Sequence, residues 1–145
     1  MRKLMLALGL LLAGSATASA QEMRMPLNSD DVKWIPVPNV FPAGAQIAVI
    51  SGDPSKPGPY VVRLELPDGA KFGPHFHGDV ENVTVLQGTL LVGVGDTADP
   101  SKMISLPAGS FVSVPMGLHH YAQAKGDTII QIHGMGPSSM TMVKM

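Results

Sequence analysis

The sequence predicts an all-β fold, a single antiparallel sandwich or barrel of short strands. Three observations predict it. The apolar runs are short and rich in Val, Ile and Thr, residues that suit a pleated, half-buried surface. Turn residues interrupt them often, with 16 Gly and 13 Pro in 145 residues. Beyond the first twenty residues, no stretch keeps a helical period over eleven residues or more.

Taken in order, Arg2 and Lys3 precede an apolar run from Leu4 to Leu12, and Ala18-Ser19-Ala20 offers a small-x-small cleavage site. Residues 1–20 are therefore expected to be a secretory signal peptide, with Gln21 opening the mature chain. The run is too short for a bilayer span, and no later run is long enough for one. No cysteine follows it to carry a lipid. The expected location is periplasmic or secreted. Residues 21–45, rich in Pro, Asn and Asp, are expected to form an extended arm anchored by Trp34. Residues 46–145 form the single barrel domain; the 125 residues left after cleavage suffice for one core but not two.

Within that domain, Gln46 to Ser51 and Tyr60 to Leu66 read as strands, separated by the loop Gly52 to Gly58. Pro67-Asp68-Gly69 turns the chain. Asn82 to Leu86 and Thr89 to Val94 are expected to form a hairpin about Gln87-Gly88. Gly95 to Lys102 is a loop. Phe111 to Val114, His119 to Gln123 and Thr128 to His133 complete the series, and residues 139–145 offer a last strand. No internal repeat of 20 to 50 residues is present.

Composition excludes several classes of partner. Losing Arg2 and Lys3 with the leader takes the formal net charge from −1 to about −3, and there is no basic run. Neither nucleic acid nor an anionic membrane is an expected partner. There is no cysteine, so disulfides are excluded and any metal site must use nitrogen and oxygen donors.

The residues that suggest chemistry are concentrated in Gly73-Pro74-His75-Phe76-His77-Gly78-Asp79-Val80-Glu81. Alternate residues of a strand share a face, so His75 and His77 point together and Phe76 points away. Two imidazoles on one face can converge on a single metal ion. Gly78-Asp79 is a turn pair, after which Glu81 can offer a carboxylate oxygen to the same point. A second group, His119 and His120, follows Pro115 and Gly117. Alternation allows only one of the two to reach the first group.

These two segments resemble the two motifs of the cupin family. In the first, Gly69 is followed by His75, Phe76, His77, Glu81 and Gly88 at the family's spacing. In the second, Gly109, Pro115, Met116, Gly117 and His120 fall in register, while the last position, usually asparagine, is Ala124. The motifs span residues 69–124. The resemblance implies a jelly-roll β-barrel with a metal inside one mouth, held by His75, His77, Glu81 and His120. It also implies kinship with small, exported, single-domain cupins.

Three histidines and a carboxylate suit iron, manganese, nickel, copper or zinc without choosing among them. The methionine-rich end (Met135, Met140, Met142, Met145) is read as filling an apolar edge of the barrel. Three further residues depend on which face of their strand is inward. If Gln131 and His133 line the barrel, Gln131 is a substrate-binding group and His133 the best candidate acid or base. If not, His133 lies against the turn at Gly134. Arg63, facing inward, would clamp a substrate carboxylate; facing outward, it pairs with Glu65 or a neighbouring strand.

The leading expectation is an exported metal-dependent enzyme acting on a small organic molecule by oxygenation, isomerisation or lyase chemistry. The alternative is a non-catalytic periplasmic protein that binds a metal or small ligand. A cavity that includes Gln131 and His133 favours chemistry, and a purely aliphatic one favours binding. Homodimers are a further expectation, since such barrels exchange edge strands.

Overall fold

The computed structural model describes residues 26–144. The expected signal peptide lies outside the described residues. Among the described residues there is no α-helix; nine strands and two short 3-10 turns make one curled antiparallel sheet. The strands are β1 (Ile35–Pro36), β2 (Gln46–Ser51), β3 (Gly58–Leu66), β4 (Lys71–His77), β5 (Glu81–Val94), β6 (Ile104–Pro107), β7 (Phe111–Val114), β8 (His120–Gly136) and β9 (Met140–Met142). This is the all-β barrel that the sequence predicts, rolled as a jelly roll.

Two long strands organise it. β5 and β8 pair antiparallel from Asn82↔His133 to Val94↔His120. The first part of β8 lies against β4, through Phe72↔Ala122 and His75↔His120, and the rest against β3, from Leu66↔Thr128 to Gly58↔Gly136. β5 divides likewise, its first half pairing β7 and its second half β6. Each long strand thus passes from one wall of the barrel to the other. A change of wall needs a corner, and β5 makes it with register shifts about Gln87.

The corner corrects the sequence reading. Gln87-Gly88 does not close a hairpin between two strands; one 14-residue strand runs through it. Gly88 has φ +72°, and an added Cβ would run into the Asp127 carbonyl and the Thr128 side chain. The turn chemistry is real, but it bends a strand here and does not reverse one. For the same reason the two expected strands His119–Gln123 and Thr128–His133 are not separate: one strand, β8, runs from His120 through both, with Gly126 at φ +72° between them. β6, inside a stretch with weak alternation, is not anticipated by the sequence pattern.

Strand periodicity builds the core. Along β3 the buried residues alternate strictly, with Tyr60, Val62, Leu64 and Leu66 facing in. Val83, Val85, Leu90, Ile130 and Ile132 meet them from β5 and β8. In the described part of the segment before β2, Trp34 is not among the residues packed on the core. Val37 and Phe41 pack against the core, Ala45 is buried within it, and β1 pairs with β2.

One tetrapeptide, Asp-Pro-Ser-Lys, occurs twice and folds the same way both times. The carboxylates of Asp53 and Asp99 accept from the backbone N–H of Ser55 and Ser101 at 2.9 and 3.0 Å. Both also accept from the serine hydroxyl, at 2.6 Å in each case. Lys56 and Lys102 close the turns at 3.0 and 3.2 Å. The serine hydroxyl bonds hold both aspartates below the usual carboxylate range, Asp53 at about 2.

Candidate metal centre

Three imidazoles meet at one mouth of the barrel because two strands bring them there. His75 and His120 are register partners on β4 and β8, with ring centroids 4.2 Å apart. His77, two residues on, shares the face of His75; its ring lies 5.0 Å from His75 and 5.2 Å from His120. Each of the three offers one ring nitrogen, and these nitrogens lie within 4.8 Å of one another. His75 and His120 are each only 4% exposed. His119 points away, its ring stacked on Phe76 and its Nδ1 2.6 Å from Asp96. Strand alternation separates the adjacent histidines as it separates Phe76 from its neighbours.

The tautomers follow from the hydrogen bonds. Nδ1 of His75 faces the Gly73 carbonyl at 2.7 Å, Nδ1 of His77 the Ser139 carbonyl at 3.0 Å, and Nδ1 of His120 the Leu118 carbonyl at 2.9 Å. A carbonyl only accepts, so each Nδ1 carries a proton and Nε2 is the nitrogen left to face the centre, a lone pair in the neutral ring. Backbone carbonyls orienting three imidazoles in this way are the usual outer support of a histidine metal site. Among the described residues, the one buried side-chain polar atom without a hydrogen-bond partner is Nε2 of His77. An orphaned buried acceptor is costly unless something occupies it. A divalent cation fits this donor set.

Glu81 approaches from the start of β5. Its Oε2 lies 3.4 Å from His77 Nε2 and 3.5 Å from His120 Nε2. Burial pushes its pKa up, but the His120 hydrogen bond and the charges of His77, His120 and His75 outweigh this and leave it lowered. Burial likewise lowers His75, to about 4, against the opposing bond from its nitrogen to the Gly73 carbonyl. For His120 burial is outweighed by Glu81 and the Leu118 carbonyl, and the pKa is raised.

The centre opens on a cavity of about 330 Å³. Its walls are largely aliphatic, from Val62, Leu64, Val83, Leu90, Ile130 and Ile132, with Val40 and Phe41 of the arm across one side. Three candidate residues are not there. Ile130 and Ile132 hold the inner face of β8, so Gln131 and His133 face outward, and His133 is exposed. Arg63 is on the outer face of β3 by the same alternation. Its Nε donates to Gln131 Oε1 at 3.0 Å across the register pair that joins the two strands. The structure therefore brings together His75, His77, His120 and Glu81, and leaves Arg63, Gln131 and His133 outside.

One buried group escapes the sequence reading. Asp79 is 8% exposed and accepts from the Tyr60 hydroxyl at 2.8 Å and from the Ser138 hydroxyl at 3.3 Å. Burial, chiefly, pushes Tyr60 up to about 12. In the sequence Asp79 reads as half of a turn pair; its donors lie 19 and 59 residues away, and no local signal marks them. It fixes the turn between His77 and Glu81 to β3 and to the segment before β9. Tyr60→Phe is expected to leave the barrel folded but cost about 1–3 kcal/mol, because a buried carboxylate loses its shorter bond. Metal affinity should fall about tenfold as the turn loosens. Urea unfolding and metal titration of the same variant check both.

Fold and site together define a β-barrel with a histidine-rich centre able to hold a metal ion. The Cupin domain family matches residues 62–133, and the chain belongs to the cupin superfamily. A search of curated protein sequences finds no match. Similar solved structures include the polyketide cyclase RemF from Streptomyces resistomycificus, at 16% identity and a TM-score of 0.69, covering 85% of this chain and 87% of that one. KdgF from Halomonas sp. matches at 19% identity and 0.61, covering 79% and 96%. An RmlC-like cupin from Shewanella frigidimarina matches at 17% and 0.60, covering 78% and 91%. At these identities the likeness is one of fold.

Proposed function

We propose that the protein is an exported, metal-dependent cupin that binds one divalent transition metal through His75, His77, His120 and Glu81 and acts there on a small organic molecule. The observation that carries this reading is the convergence of three imidazole nitrogens, with Nε2 of His77 buried and without a partner, beside an apolar cavity. When bound, the metal would supply Lewis acidity or, if iron or copper, oxygen chemistry. The protein's own part is to orient the imidazoles, to exclude water with aliphatic walls, and to hold the carboxylate of Glu81 ionised. Export is supported by the leader-like sequence of residues 1–20. A small-molecule substrate is supported by the cavity's size and by fold neighbours such as a polyketide cyclase.

A second reading, non-catalytic binding of a metal or small ligand, is favoured by one observation. With Gln131 and His133 outside, Glu81 and the three histidines are, among the described residues, the cavity's only ionisable groups apart from Tyr60, whose hydroxyl is bonded to Asp79.

The test is the metal content of protein recovered from its own exported compartment, without affinity nickel, by elemental mass spectrometry. About one equivalent of a single metal is the expected result. Protein that is metal-free there, and takes none up on dialysis against iron, manganese, nickel, copper or zinc, would overturn the proposal. Recovery only from the cytoplasm would overturn export.

A further inference from the structure

The cavity's chemistry also restricts what can bind beside the metal. We infer that the ligand is a small apolar molecule with a single oxygen-donor head, and that sugars, dicarboxylates and other polyfunctional polar molecules are excluded. The inference rests on the metal-centre reading above, which supplies the partner for the one oxygen.

Three observations carry it. First, among the described residues no lysine or arginine lines the cavity, and the one arginine in the flanking strand, Arg63, faces outward and is bonded to Gln131. A second carboxylate would find no counter-charge. Second, two of the cavity's three hydroxyls already donate elsewhere, and the third lies at the turn beside Gly78, not among the aliphatic walls. Tyr60 and Ser138 donate to Asp79, and the Ser139 hydroxyl accepts from the Gly78 backbone N–H at 3.2 Å. A ligand hydroxyl placed among Val62, Leu64, Val83, Leu90, Ile130 and Ile132 would be buried without a partner, which weakens binding about tenfold or more per group. Third, those six aliphatic side chains line a cavity of about 330 Å³, enough for a compact body of modest size. Each ligand methylene moved from water into that space should strengthen binding about fourfold.

The experiment uses the cobalt-loaded protein and five probes: acetate, butanoate, hexanoate, succinate and gluconate. Binding is read by calorimetry and by the visible cobalt spectrum, which reports whether the head reaches the metal. Affinity is expected to rise about fourfold per methylene from acetate to hexanoate, with a spectral change common to all three. Succinate should bind at least tenfold more weakly than butanoate, and gluconate more weakly than acetate. Succinate or gluconate binding as tightly as hexanoate would overturn the inference, as would affinity independent of chain length. Either result with cobalt bound leaves the metal reading standing. Failure to take up cobalt or any of iron, manganese, nickel, copper and zinc would overturn the metal reading itself, and this inference with it.

Discussion

Replacing His120 by alanine is expected to lower metal affinity by about 10²-fold or more and to leave purified protein essentially metal-free. Four-ligand sites reach apparent binding energies of about 10–16 kcal/mol, so one ligand accounts for about 3 kcal/mol. His120 has a larger part than its share suggests. It is the only group in the centre contributed by β8, and it faces its register partner His75. Without it the remaining groups all come from one turn of chain, residues 75–81. Metal titration of the wild type and the variant checks this; equal affinities would remove His120 from the ligand set.

Acid should have the same effect, with a definite order. The raised pKa of His120 makes it take a proton well before His75 as pH falls, and a protonated imidazole cannot bind metal. Affinity should therefore be highest above that pKa and fall below it. His75 stays neutral down to about 4 in the metal-free protein, so it is not what limits binding near neutrality. Glu81→Gln removes the partner that raises His120, so the remaining affinity should hold to lower pH. The metal-free fold responds through linkage. His75, lowered from 6.5, contributes stability that is present above 6.5 and lost as pH falls toward 4. The contribution of Glu81 is present above 4.5 and lost as pH falls through its lowered value. That of His120 is present below 6.5 and lost as pH rises through its raised value. The Glu81–His120 pair thus stabilises the metal-free barrel most between 4.5 and 6.5, while metal binding is favoured above that window.

Gly93→Ala is expected to destabilise the barrel by about 1–3 kcal/mol, an overpacking cost set by its cross-strand neighbour. Gly93 on β5 is the register partner of Tyr121 on β8, whose side chain is fully buried. The ring lies across the glycine so closely that an added Cβ would run into its Cε2, Cζ and hydroxyl oxygen. The ring cannot swing away freely, because its hydroxyl donates to the Asp99 carbonyl at 3.2 Å. Tyr121→Ala alone should cost about 3–5 kcal/mol through the cavity it leaves. The double variant should cost less than the sum of the two, since the methyl added at position 93 then meets no ring. Denaturant unfolding of the four proteins measures that coupling. Strict additivity would mean that Gly93 is not keeping space open for Tyr121.

Much of the centre is legible locally. The alternation His75-Phe76-His77 places two imidazoles on one face whatever the rest of the chain does, because strand geometry has period two. The two Asp-Pro-Ser-Lys turns are equally local, since every bond that forms them spans two or three residues. Gly88 stands out in the sequence as a position needing unusual backbone, but whether such a glycine reverses a strand or bends it depends on what pairs on either side. β8 runs along both halves of β5 and so keeps the strand continuous.

Strand period, residue chemistry and short-range turns, all present in the bare chain, suffice for the all-β character, the pairing of His75 with His77, and the restriction to nitrogen and oxygen donors. Motif spacing adds Glu81 and His120. Which faces turn inward is a matter of long-range packing. Each strand has two faces, and local sequence does not say which of them meets the core when both carry apolar residues, as in Thr128 to His133. The packing of Ile130 and Ile132 against Val62 and Leu64 settles it, and sends Arg63, Gln131 and His133 to the outside. The same closure buries Asp79 beneath Tyr60 and Ser138, and sets the Ser139 carbonyl behind His77, contacts made across 19 to 62 residues that no local pattern specifies.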